Sequence, residues 1–122
     1  VLDSEFRWFV PQKIESDNKF KFAAKWWAYR RYASRWYHIL SMVIASAPLE
    51  VTSYARVRIH SLRARLLDEG NLVGGAKPIP DYLVKAGWLV DDCPEWCRVT
   101  YTQDRAPKDA RGTWIGIDYG KP

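Results

Sequence analysis

Residues 50–60, EVTSYARVRIH, alternate between apolar and polar side chains. Val51, Ala55, Val57 and Ile59 fall on one side, and Tyr54, Arg56, Arg58 and His60 on the other. Successive side chains of a strand point to opposite faces, so this pattern predicts a half-buried strand with a cationic outer stripe. Any fold for this chain must cover one face of that strand and leave the arginines of the other in water.

The remaining elements follow from punctuation and period. EFRWFV, residues 5–10, alternates loosely, stops at Pro11 and predicts a strand. Phe22 to Ser46 predicts one long helix ended by Ala47-Pro48. Its apolar face is Trp26, Tyr29, Ala33, Trp36, Tyr37, Leu40 and Ile44, at helical spacing. The other face carries Arg31, Ser34, Arg35 and His38. Trp26 and Trp36 are expected in the core, whereas Trp27 lies off the apolar face and is free to stack on bases. His38 reads as a surface histidine, with general-base work as the alternative.

Pro78 and Pro80 suit a helix start, Asp81 adds charge to its first turn, and Gly87 suits its end. DYLVKA is then a short helix, Trp88–Val90 a brief extended piece, and residues 98–103 and 113–119 two further strands. The order β-α-β-α-(β)-β-β predicts an α/β or α+β domain spanning 1–122, with a mixed sheet of about four strands and two helices.

Charge is unevenly placed. The net charge is +5. Between Asn18 and Leu67 there are ten Lys and Arg against one acid, Glu50. Such a segment suggests a polyanionic partner. Arg56, Arg58, Arg63 and Arg65 are candidate phosphate contacts, with a solvated strand face as the alternative. Arg31 and Arg35, one helical turn apart, repel mildly unless a phosphate backbone lies against them. No apolar run approaches the length of a membrane span, and no secretory signal pattern opens the chain. Cys93 and Cys97 lack the nearby His or Cys partners that zinc would need. They read as reduced thiols of a cytoplasmic protein.

Against this basic background two acidic pairs stand out, Asp68-Glu69 and Asp91-Asp92, with Lys77 between them in sequence. Carboxylates gathered on an anion-binding protein repel phosphate unless a divalent cation lies between. Mg²⁺ suits such a site because it takes few carboxylates and completes its shell with water and phosphate oxygens. Lys77 would add positive charge at the transition state. The same residues also have ordinary turn composition.

LLDEGNLVGGAKPIPDYLVKAGWLVDD, residues 66–92, resembles the RusA-type Holliday junction resolvases. Their shared block reads D-x-D-N-L, a gap, then K-x3-D-x-L-x-x-A-G-x-x-x-D-D. Asp68, Asn71-Leu72, Lys77, Asp81, Leu83, Ala86-Gly87 and Asp91-Asp92 occur here in that order. The Gly-Gly insertion before the lysine looks like phage-borne members. The resemblance implies a RusA-like fold and a homodimeric, Mg²⁺-dependent endonuclease for which Mn²⁺ can substitute. Such an enzyme nicks opposing strands of a four-way DNA junction and leaves 5′-phosphate and 3′-hydroxyl ends. It implies Asp68, Lys77 and Asp92 as catalytic residues. The acidic pairs themselves make Asp68, Glu69, Asp91 and Asp92 the candidate metal ligands, and the charge pattern makes Arg31, Arg35, Arg56, Arg58, Arg63, Arg65 and Lys77 the candidate DNA contacts. Two departures matter. Gly70 stands where the second Asp of D-x-D is expected, so either Glu69 replaces it or the chain binds junctions with weakened cleavage. Pro80 falls inside the block and would start or perturb the helix there.

Overall fold

The computed structural model describes residues 3–20 and 26–122. The alternating stretch becomes β2 (Ala55–Arg63), flanked in space by β4 (Gly112–Tyr119) and β3 (Cys97–Arg105), with β1 (Phe6–Val10) outside β4. The sheet order is β1-β4-β2-β3. β4 runs antiparallel to both β1 and β2, and β3 runs parallel to β2. The fold is therefore a mixed four-stranded α+β sheet. Among the described residues, three α-helices accompany it: α1 (Trp26–Val43), the short α2 (Glu69–Gly75) and α3 (Pro78–Lys85). No helix among the described residues is long and apolar enough to cross a membrane.

Register fixes the two faces. Val57 pairs with Val99 and Ile117, and Ile59 with Tyr101 and Ile115. Phe6 and Trp8 of β1 face Ile117 and Ile115 in turn. This face meets Tyr32, Trp36 and Leu40 of α1 and Ile79 and Leu83 of α3 in one buried core. The opposite face carries Arg56 beside Arg98, Arg58 beside Thr100, and His60 beside Thr102 and Trp114.

The strand starts later than its alternation suggested, leaving Val51 outside, and continues to Arg63. That extension places Ser61 and Arg63 on the core side, both buried. Arg63 was expected to contact phosphate. Instead its guanidinium donates to the carbonyls of Ile14 and Arg65 at 2.7 and 2.6 Å and to Ser61 Oγ at 3.2 Å. Burial lowers its pKa, and Glu15 and Tyr32 oppose that shift.

The long helix ends at Val43 rather than Ser46, and residues 22–25 of that expectation lie outside the described residues. Trp36 and Leu40 are buried as expected, but Trp26 is 64% exposed and Tyr32 is fully buried in its stead. Trp26 stands at the first described position of α1. Tyr32 is tolerated inside because its hydroxyl is satisfied twice. It donates to the Gly75 carbonyl at 2.6 Å and accepts from the Glu15 amide at 3.0 Å. Burial pushes the Tyr32 phenol up to about 12.

α3 ends as its glycine predicts. Gly87 has φ +86, Gly87 N–H donates to the Val84 carbonyl and Trp88 N–H to the Leu83 carbonyl, the paired bonds of a Schellman motif. Trp88–Val90 forms no strand. The Trp88 carbonyl accepts from Tyr119 Oη at 2.6 Å, and its indole N–H donates to the Ala45 carbonyl at 2.7 Å. Those bonds tie the segment to β4 and to the end of α1.

Tyr32→Phe keeps the ring and strips the hydroxyl from two backbone groups. It is expected to destabilise the fold by about 1–3 kcal/mol in urea unfolding, the cost of leaving buried polar groups unpaired. A change under 0.5 kcal/mol would show that water reaches both groups.

Candidate active site

The inner side of β3 is where the chemistry gathers. Val99 and Tyr101 of β3, Val73 and Gly74 of α2, Lys77, Pro80 and Asp81 at the start of α3, and Asp92 line one cleft of about 240 Å³. A second hollow of about 320 Å³ shares Asp81 and Asp92 and adds Tyr37, Val84, Lys85 and Asp91. Asp81 and Asp92 thus border both.

Local structure explains each position. The prolines at 78 and 80 occupy the first turn of α3, where no helical N–H partner is lost. Lys77 caps that helix and lies one turn before Asp81, so its ammonium donates to Asp81 Oδ2 at 3.2 Å. The Asp81 hydrogen bond and charge, with Tyr29 and Asp92, hold Lys77 above the usual lysine range despite partial burial. Burial, then the charges of Cys97, Asp81 and Asp92, raises Tyr101. Tyr29 is raised chiefly by burial, with Lys77 opposing and Asp81, Tyr37 and Asp17 adding. Asp91 Oδ1 accepts the backbone N–H of Asp92 at 2.8 Å, which shapes the turn entering the cleft. Gly74 is required here because a β-carbon would overlap the carboxyl of Asp17.

The stretch 68–71 behaves differently from the extended run that D-x-D spacing assumes. It is the N-terminus of α2. Asp68 is the N-cap, accepting from Asn71 N at 2.9 Å and from Asn71 Nδ2 at 3.1 Å. Both of its carboxylate oxygens are thereby engaged. Glu69 is exposed in the first turn, where its charge complements the helix dipole. The cleft takes Val73 and Gly74 from the other end of α2, about 9 Å along the axis from Asp68 at 1.5 Å per residue. The structure therefore brings together Lys77, Asp92 and, through the second hollow, Asp91. It does not bring Asp68 and Glu69 to them. Among the described residues, no group of three or more His, Cys, Asp or Glu is placed to hold a metal ion.

Asp81 is the acid that sequence reasoning left in a capping role. The available signal was its spacing of four from Lys77 on a helix. As donors, Asp81 and Asp92 suit Mg²⁺ in kind and number, since that ion uses one or two carboxylates and takes water and phosphate oxygens for the rest. Asp68 and Glu69 do not belong to that set.

The expected phosphate-binding arginines divide between two surfaces. Arg56 and Arg58 stand on the helix-free face of the sheet, joined there by Arg98, which the sequence reading did not single out. Arg58 pairs with Asp3 at 2.9 Å, and Arg56 donates to the Lys121 carbonyl at 2.9 Å. Arg31 and Arg35 are exposed on α1 and line an open groove of about 520 Å³ with Gln12, Ser34, His38, Ile39 and Met42. Arg65 is exposed beyond the end of β2. Cys93 and Cys97 are free thiols, and burial, then Asp92, Cys93 and Asp91, raises Cys97.

Compared with protein-family models and with curated proteins, the chain matches none.

Lys77 carries a raised pKa in the folded chain, so the stabilisation from its pairing with Asp81 is present below the ordinary lysine range. It is lost as pH rises through the raised value. The pair is solvent-accessible and contributes little to stability at neutral pH. Asp81→Asn is expected to bring the Lys77 pKa back toward its ordinary value, read by NMR titration of the side-chain Cε and Nζ signals. An unmoved value would mean that Asp92 or Tyr29, rather than Asp81, sets it.

Proposed function

We propose that this protein is a Mg²⁺-dependent, structure-selective DNA endonuclease. It acts on four-way junctions as a homodimer that places one cleft on each of two opposing strands. The observation that carries the reading is the convergence of Lys77, Asp81 and Asp92 in one cleft of a chain with net charge +5. The resemblance of residues 66–92 to the RusA-type block supports it, and the mixed sheet gives the block a coherent setting.

In this reading Asp81 and Asp92 would hold the cation. When bound, Mg²⁺ would supply charge neutralisation at the phosphate and an activated water. The chain's own contributions are positional and electrostatic. Lys77 carries its positive charge at neutral pH, as an ordinary lysine does, and Asp81 raises its pKa further. As DNA enters, its ammonium transfers a hydrogen bond from Asp81 to a non-bridging phosphate oxygen and follows the charge that develops there. That exchange would leave the Asp81 carboxylate without its lysine partner and available as a ligand. Asp91 keeps Asp92 in place by accepting its backbone N–H. Exposed arginines hold the flanking backbone, and affinity falls steeply with salt.

A second reading is favoured by one observation: Asp68 is spent on a helix cap and position 70 has no carboxylate. The chain then binds junctions with weakened or absent cleavage.

A synthetic four-way junction incubated with the protein and Mg²⁺ at low salt separates the two. Paired symmetric nicks are expected, abolished in Asp92→Asn with junction binding retained. Binding without nicking, in Mn²⁺ as well, would select the second reading. Normal cutting by Asp92→Asn would place the chemistry elsewhere.

Gly70→Asp tests the N-terminus of α2. No atom lies within 4 Å of an added β-carbon at Gly70, so the side chain fits. It replaces a helix-weakening glycine and adds negative charge to the first turn. Unchanged or higher thermal stability with unchanged nicking is the outcome expected if the cleft acts without this turn. A large gain in nicking would bring Asp68 and position 70 back into the site.

A further inference from the structure

All three cation–π contacts among the described residues have their ring on α1. The Arg30 guanidinium lies 5.6 Å from the Trp26 ring centre, Arg31 lies 4.7 Å from Trp27, and the Lys85 ammonium lies 4.6 Å from Tyr37. Trp26 and Trp27 are 64% and 47% exposed, an unusual cost for two large adjacent rings unless something covers them. No Asp or Glu occurs anywhere in α1, and no described ion pair engages Arg30, Arg31 or Arg35.

These pairs are continuous with the candidate active site. Tyr37 and Lys85 line the hollow that contains Asp81 and Asp92. Tyr37 is 11 residues, three helical turns, beyond Trp26, so the two share a flank of α1. Trp27 and Arg31 continue around the helix into a further hollow of about 270 Å³ with Arg35, Lys19 and Glu15, the acid being paired with Lys19 at 2.8 Å. The surface thus alternates flat aromatic faces with exposed cations from the cleft to the first described turn of α1.

We infer that this track on α1 binds single-stranded DNA, its rings stacking on unpaired bases while Arg30, Arg31 and Lys85 hold the adjoining phosphates. Duplex DNA keeps its base faces stacked inside the helix, so only an unpaired strand can use exposed rings in this way. Phosphate supplies the negative charge that α1 lacks. In the free protein each cation lies against its ring, and a base would take over the ring face as the cation turns to the backbone. The choice of DNA over RNA rests on the endonuclease reading, whereas single-strand binding stands on the track alone.

The test uses tryptophan fluorescence and anisotropy with a labelled thymidine oligonucleotide in EDTA, so that no cleavage intervenes. The full chain is expected to bind it with quenched emission and to bind a duplex of equal length more weakly. Trp26→Ala and Trp27→Ala should each weaken oligonucleotide binding about tenfold by anisotropy, with Trp27→Phe retaining most of the affinity. Arg30→Gln and Arg31→Gln should each lower the salt dependence by about one ion. Circular dichroism of each variant distinguishes lost contacts from lost helix. Wild-type affinity in the folded ring variants, or duplex bound as tightly as single strand, overturns the inference. Tighter binding of a uridine oligonucleotide overturns the DNA assignment. Oligonucleotide binding that depends on the rings, with no nicking of a junction in Mg²⁺, retains this inference and removes only the endonuclease reading.

Discussion

The hydroxyl of Tyr32 holds the cleft in place. It bridges the amide of Glu15 and the carbonyl of Gly75, so one buried group joins α1, the segment after β1 and the end of α2. Arg63 grips the same segment one residue earlier, through the Ile14 carbonyl. Gly75 allows the close approach, because a β-carbon there would overlap the Glu15 carbonyl. Lys77 follows two residues later. Its position in the cleft therefore depends on contacts well away from the acids it faces.

The electrostatics of the cleft follow from that placement. A lysine lies against one of its two carboxylates, with Lys77 Nζ 3.2 Å from Asp81 Oδ2. Lys77 is raised chiefly by Asp81, with Tyr29 and Asp92 adding, whereas Tyr101 is raised chiefly by burial, with Cys97, Asp81 and Asp92 adding. Lys77 is the cation that lines the cleft with those acids, and no arginine is among the described residues lining it.

Much of the fold was legible in the sequence because period and punctuation agreed. The alternation at 55–60, the Gly87 stop and the pattern of 113–119 each became the expected element. The misreadings have separate causes. Arg63 looks like the continuation of a basic tail, yet the strand runs through it and parity turns it inward. Tyr32 carries no apolar signature, and only its two long-range bonds make burial affordable. In the sequence Asp68 to Asn71 is open between an ordinary turn and a metal-binding segment, and the local bond between Asp68 and the Asn71 amide makes it a helix start instead. That decision separates Asp68 from Asp92. The pairing of Lys77 with Asp81 was visible as a spacing, but its convergence with Asp92 depends on how the chain returns to β3.

That return has a kinetic consequence. β2 and β3 are parallel neighbours, so the whole stretch between Arg63 and Cys97 must cross over before they pair. Every residue of the cleft except those of β3 lies in that crossover. Closing so long a loop costs entropy before any pairing repays it. The cleft should consequently appear late in folding, completed only when β3 docks beside β2.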